Sequence, residues 1–129
     1  MKATTSNKAI ELNHIVTGEQ ILDFQKLVRK IPIADNVLEY AVSLTSKTRP
    51  NTPKATTVVN NYISWGAGPR ASQYLVLGAK CHAAIKGKYS PDIEDVQAIA
   101  KYVLRHRIVP NYKAEAEGMT ADKIIESLF

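Results

Sequence analysis

The chain has a single cysteine, Cys81, which excludes an internal disulfide and any cysteine-cluster metal site. Its neighbours Ala79, Ala83 and Ala84 make it read as a small buried hydrophobe rather than a reactive thiol. No run approaches the roughly 18 apolar residues of a membrane span. Residues 1–16 lack an apolar signal-peptide core, so nothing argues for export and a cytoplasmic origin is expected. Three histidines, His14, His82 and His106, show no ligand spacing, and no metal site is expected. Glycine is equally sparse: Gly18, Gly66, Gly68, Gly78, Gly87 and Gly118 are all there are. None builds the GxxxxGK[ST] loop that cradles nucleotide phosphates. The one Gly-Lys pair, Gly87-Lys88, is followed by Tyr89 and has no glycine five residues upstream.

What is present is a slightly basic chain of 129 residues, enough for one domain with a core. A net charge of +5 suits nucleic acid, nucleotide phosphate or an acidic protein face, or simply a solvated surface. Only Arg105-His106-Arg107 is a tight basic cluster, near a helix C-terminus where cations are favoured.

The hydrophobic spacing predicts about five helices in an all-α bundle. Thr17-Gly18-Glu19-Gln20 is a capping-box pattern that opens the first, with Ile21, Phe24, Val28 and Ile31 on one face. Asp35 reads as the N-cap of a second that runs to about Lys47, with Val37, Ala41 and Leu44 in one row. Residues 50–61 read as a long loop, and a short β pair is expected near 58–65 and 107–110. A third helix runs from Pro69 to about Lys86, closed by a left-handed Gly87; Ala71, Tyr74, Leu75, Gly78, His82 and Ile85 trace its expected buried face. Gly78 inside it costs about 1 kcal/mol against alanine, which suggests close packing of another helix. Ser90 as N-cap and Pro91 at the first position start a fourth, with Ile93, Val96, Ala100 and Val103 inward. Asn111 to Gly118 reads as a polar connector, and Thr120 caps a last short helix.

The most informative stretch is Trp65-Gly66-Ala67-Gly68-Pro69-Arg70-Ala71-Ser72. Gly68 as N-cap and Pro69 at the first helical position place Arg70 on the first turn, where unpaired N–H groups favour anions. Two readings stay open from the residues alone: a helix start with a solvated arginine, or a phosphate contact made by a planar fork of donors. Tyr62 and Trp65 read as packing anchors, in the core or at a domain boundary, ahead of adenine stacking.

The segment "YISWGAGPRAS", followed by "SPDIEDVQAIAKYVLRHRIVPNYKAEAEG", resembles the C-terminal lid of MoxR-type AAA+ ATPases. The resemblance extends from about Val16 to Phe129 and is most specific from Tyr62 to Gly118. Gly68 stands where that family often has serine, a tolerated N-cap change. The resemblance implies a helical lid over residues 17–129, a connector over 1–16 from a missing ATPase core, and a domain cut from a larger enzyme. It implies ATP as ligand, with Mg2+ held by that core, and Arg70 as the sensor 2 arginine. Gly66 and Gly68 would let the backbone approach the nucleotide. Arg105 and Arg107 would contact a neighbouring subunit or form an internal ion pair. The partners it implies are the core itself, a homo-oligomeric ring of six copies, and an unknown protein client, with no specific nucleic acid and no membrane. The fragment alone would not be an enzyme; its parent would hydrolyse ATP and act as a chaperone. Two other classes remain: a basic nucleic-acid-binding module using Arg70, Gln73, Lys80 and Lys86, and a protein-interaction bundle for which Arg70 is dispensable.

Overall fold

The computed structural model describes residues 13–129. Seven helices and one strand pair occur among them, in the order α1 (Gly18–Lys30), α2 (Asp35–Lys47), α3 (Thr57–Tyr62), β1 (Ile63–Trp65), α4 (Pro69–Ile85), α5 (Ile93–Leu104), β2 (Val109–Pro110), α6 (Tyr112–Ala116) and α7 (Ala121–Glu126). The expected helical bundle with a short β pair is therefore observed, with two helices more than the spacing suggested. Those two, α3 and α6, are single-turn elements opened by the Thr56 and Asn111 side chains, which accept from the N–H groups of Val59 and Ala114. They occupy the expected loop at 50–61 and the expected connector at 111–118. β1 and β2 pair antiparallel, Ile63 opposite Pro110 and Trp65 opposite Val109.

Helix α4 is the centre of the bundle, packed on α5, α2 and α1. Its buried row is Ala71, Leu75, Ala79 and Ala83, an i, i+4 ridge of mostly small side chains. This corrects the expected face: Tyr74 is half exposed and Ile85 is 81% exposed, because the alanines let α5 come close with Val96, Ala100 and Leu104. Val37, Ala41 and Leu44 of α2 complete the core, with Ile124, Ile125 and Leu128 closing its end. Gly78 does mark close helix packing: a Cβ there would sit 3.1 Å from Ile99 Cδ1 of α5.

Helix starts follow capping chemistry. Thr17 and Gln20 form the expected capping box of α1. Asp35, expected as N-cap of α2, is instead its first helical residue; Ala34 holds the cap position and gives no side-chain bond. The fourth long helix starts two residues later than Ser90-Pro91 suggested. Asp92 is its N-cap, and Asp92 and Asp95 satisfy each other's backbone N–H groups. Ser90 cannot compete, since its hydroxyl bonds only the carbonyl of Pro91.

Helix α1 is peripheral. Its apolar stripe meets α4 only along one edge, and Ile21, Phe24 and Leu27 stay at least half exposed. Cys81 is also exposed, against expectation, because it lies on the side of α4 beneath this loosely covered edge. Residues 1–12 of the expected connector lie outside the described residues; residues 13–16 are exposed and form neither helix nor strand.

Candidate functional site

Gly68 is the N-cap of α4 with extended backbone and no side-chain cap bond, and Pro69 follows at the first position. The first turn of a 17-residue helix is thus left with its donors uncapped by any side chain. Arg70 sits on this turn, exposed, and makes no ion pair among the described residues. Beside it runs a groove of about 500 Å³ lined by Arg49, Thr52, Trp65, Gly68 and neighbouring backbone. Its lining holds a guanidinium and no carboxylate. That donor set suits an anion. A slightly larger groove, of about 610 Å³ beside α6, carries Glu115 and no cation, a poor match to phosphate.

The turn before α4 is fixed by the end of α2. Ala67 N–H donates to Thr48 Oγ1 at 2.9 Å, and Ala67 C=O accepts from Arg49 Nε at 2.9 Å. Thr48 and Ala67 are both buried. Gly66 lies flush on the same segment: a Cβ there would come within 2.5 Å of Thr48 O and 2.6 Å of Arg49 Cα. The need for glycine at 66 thus has a packing cause within the domain, whereas Gly68 has open space around it. Trp65 is 75% exposed, which excludes the core-packing reading of its indole. Tyr62 turns the other way, its hydroxyl donating to Glu117 Oε2 at 2.6 Å with Lys113 over its ring.

Arg105 and Arg107 do not join this site. Arg105 grips Asp122 through two parallel bonds of 2.6 Å, and this pairing holds the Asp122 carboxyl below its ordinary range. Arg107 stacks 4.9 Å from the ring centroid of Tyr74 and donates to the carbonyl of Val103. Arg49 was not singled out by the sequence; the signal was its position before Pro50 at a helix end, which reads only as a terminator.

The opposite end of α4 carries the densest polar cluster. Asp95 is 1% exposed and its carboxylate meets His82 Nδ1 at 2.7 Å and Lys88 Nζ at 3.0 Å. Burial pushes its carboxyl up, but the bond from Asp92 N–H, the His82 ring and Lys88 outweigh this and hold it well below the usual carboxylate range. His82 thus has a partner that sequence spacing did not reveal.

The sequence pattern of the AAA lid domain matches residues 55–128. The chain belongs to the AAA lid domain family. The lid is 30% identical over 114 residues to the chaperone MoxR1 of Mycobacterium tuberculosis, covering 84% of this chain and 30% of that protein. It is 25% identical over 117 residues to the uncharacterized protein YeaC of Bacillus subtilis, covering 91% of this chain and 34% of that protein. The crystal structure of a "putative ATPase" from Cytophaga hutchinsonii superposes with a TM-score of 0.86 at 29% identity, over 98% of the lid and 38% of that chain. The lid therefore spans about a third of the length of the relatives it matches.

Proposed function

We propose that this domain is the C-terminal lid of a MoxR-type AAA+ ATPase and that Arg70 is its sensor 2 arginine, contacting the phosphates of ATP. The observation that carries the reading is an arginine with no ion pair among the described residues, on the uncapped first turn of the central helix, beside an acid-free groove, in a domain of the AAA lid family. The helix start offers the Arg70 N–H and partial positive charge, since Pro69 has no N–H and that of Ala71 is held by Gly68 O, and the guanidinium adds a charge-assisted fork. ATP carries one more phosphate than ADP, so the contact differs between the two nucleotides. That difference biases the angle between lid and core, since a ligand shifts an equilibrium only through differential contacts. The phosphate loop, Mg2+ site and water-positioning group belong to the core, so the lid alone does not turn over ATP. The parent acts as a chaperone-like cytoplasmic ring, six copies around, remodelling a protein client.

The nucleic-acid alternative needs α4 as a recognition helix, but α4 is covered by α1, α2 and α5, and Lys80 is turned to the carbonyl of Arg29. The test is Arg70→Ala and Arg70→Lys in the complete ATPase, reading ATP and ADP affinity and turnover. Loss of a charge-assisted contact of about 1.5–3 kcal/mol predicts a roughly ten- to hundredfold fall in discrimination or rate, with lysine rescuing in part. Unchanged affinities and turnover in Arg70→Ala would refute the assignment.

A further inference from the structure

Ala67 is the one residue between the two glycines of the turn, and both of its backbone polar groups are satisfied by side chains from consecutive residues of another helix end. Thr48 takes the N–H and Arg49 takes the C=O. Thr48 Oγ1 in turn donates to Thr45 O at 2.7 Å, so its hydroxyl proton is committed to α2 and its lone pair is aimed at Ala67. Arg49 is itself anchored, because its carbonyl accepts from Thr52 Oγ1 at 2.9 Å. Gly66 removes the Cβ that would otherwise hold the two segments apart. Within the turn itself, Ala71 N–H donates to Gly68 O at 3.0 Å, and Arg70 lies only three residues beyond the clamped Ala67.

We propose that Thr48 and Arg49 are positioning residues for Arg70: the end of α2 is a socket that sets where the α4 start, and hence the guanidinium of Arg70, stands relative to the lid body. The inference rests on the reading of Arg70 as a phosphate contact. A charged fork is useful only if its base is fixed, since displacement of about an ångström weakens a directional contact severely. Neither residue needs to touch nucleotide for this role. The clamp also couples α2 to the turn, so the lid carries Arg70 as part of one rigid piece when it moves.

The experiment uses the chain itself, isotope-labelled for NMR, with inorganic tripolyphosphate as probe. Thr48→Val keeps the shape and removes the hydroxyl; Thr48→Ser keeps the hydroxyl; Arg49→Leu removes the second arm. In Thr48→Val the Ala67 amide should exchange about tenfold faster, as expected for loss of one buried hydrogen bond. The Arg70 amide and Nε signals should shift before any titrant is added, and the response of Arg70 to tripolyphosphate should fall several-fold. Signals from Leu75, Ala83 and Leu104 should stay in place, and Thr48→Ser should restore Arg70. Arg49→Leu should reproduce the Arg70 shift if Thr48→Val proves too unstable to study. Faster Ala67 exchange with Arg70 signals unchanged in both variants would overturn the proposal, since the clamp would then stabilise the fold without placing the arginine. If tripolyphosphate leaves Arg70 of the unaltered chain unmoved, the phosphate reading fails on its own; the ligand-free Arg70 signals still decide the positioning role.

Discussion

The two ends of α4 are finished in opposite ways. At the C-terminal end a buried carboxylate, Asp95, is shared by His82, Lys88 and the start of α5, with every arm within 3.0 Å. At the N-terminal end the helix has no side-chain cap, Arg70 has no ion pair among the described residues, and the adjoining groove holds no acid. One helix thus spends its polar chemistry internally at one end and leaves it available at the other. The two ends lie the length of a helix apart, about 25 Å for 17 residues. A change of the Asp95 cluster at the closed end should therefore be felt in folding, and a change of the Arg70 side chain at the open end in binding.

The strongest way to test that contrast is Asp95→Ala. It takes away the partner of His82, the bond to the Asp92 N–H and one of the two carboxylates that meet Lys88, Asp92 Oδ2 keeping the other at 2.8 Å, and is expected to cost about 3 kcal/mol in urea denaturation. A loss under 1 kcal/mol would erase the distinction between the ends. The same group gives a pH signature. Its folded pKa is depressed, so its contribution is full above the unfolded value, about pH 4, and fades as pH falls toward the folded value. Asp95→Asn should accordingly show a flatter loss of stability below pH 4 than the unaltered protein, measured by denaturation at a series of pH values.

Gly66→Ala comes next. Its Cβ meets backbone at 2.5 Å, and backbone cannot yield as a side-chain tip can. A cost of about 2 kcal/mol is expected, together with displaced amide signals from Ala67 to Ala71. Between the two ends, Gly78→Ala serves as a midpoint. The Cβ would press only on the half-buried Ile99 side chain, and helix propensity favours alanine by about 1 kcal/mol. The expected net is stabilisation of about half a kcal/mol, read as a small rise in melting temperature. Smallest of all, Arg70→Ala should change stability by less than about 0.5 kcal/mol, because the side chain is exposed and has no ion pair among the described residues. A fall of many degrees in melting temperature would place Arg70 with the structural residues and collapse the contrast.

The open end was legible in the sequence because its signals are local. Gly68, Pro69 and Arg70 are consecutive, and N-cap and first-turn preferences act over that range. The closed end was not, and neither was the clamp beneath the open one. His82 and Asp95 are 13 residues apart, and Thr48 and Ala67 are 19 apart, so only the fold brings either pair together. The start of α5 was misplaced because two cap signals compete there, and the reciprocal Asp92–Asp95 bonds win over Ser90. The buried face of α4 was misplaced for a different reason. Hydrophobic spacing weighs Tyr74 and Ile85 above alanine, whereas close helix packing selects the alanines. Helices α3 and α6, of six and five residues, are too short for a periodic pattern to register.

The exposure of Trp65 has an optical consequence. It is the single tryptophan of the chain, and its ring stands in water at the rim of the groove beside Arg70. The chain should therefore emit like a solvated indole, without the blue shift of a buried one. Covering that rim would dry the ring and move the emission, so the lid carries an intrinsic fluorescent reporter at the place where its partner is expected to close.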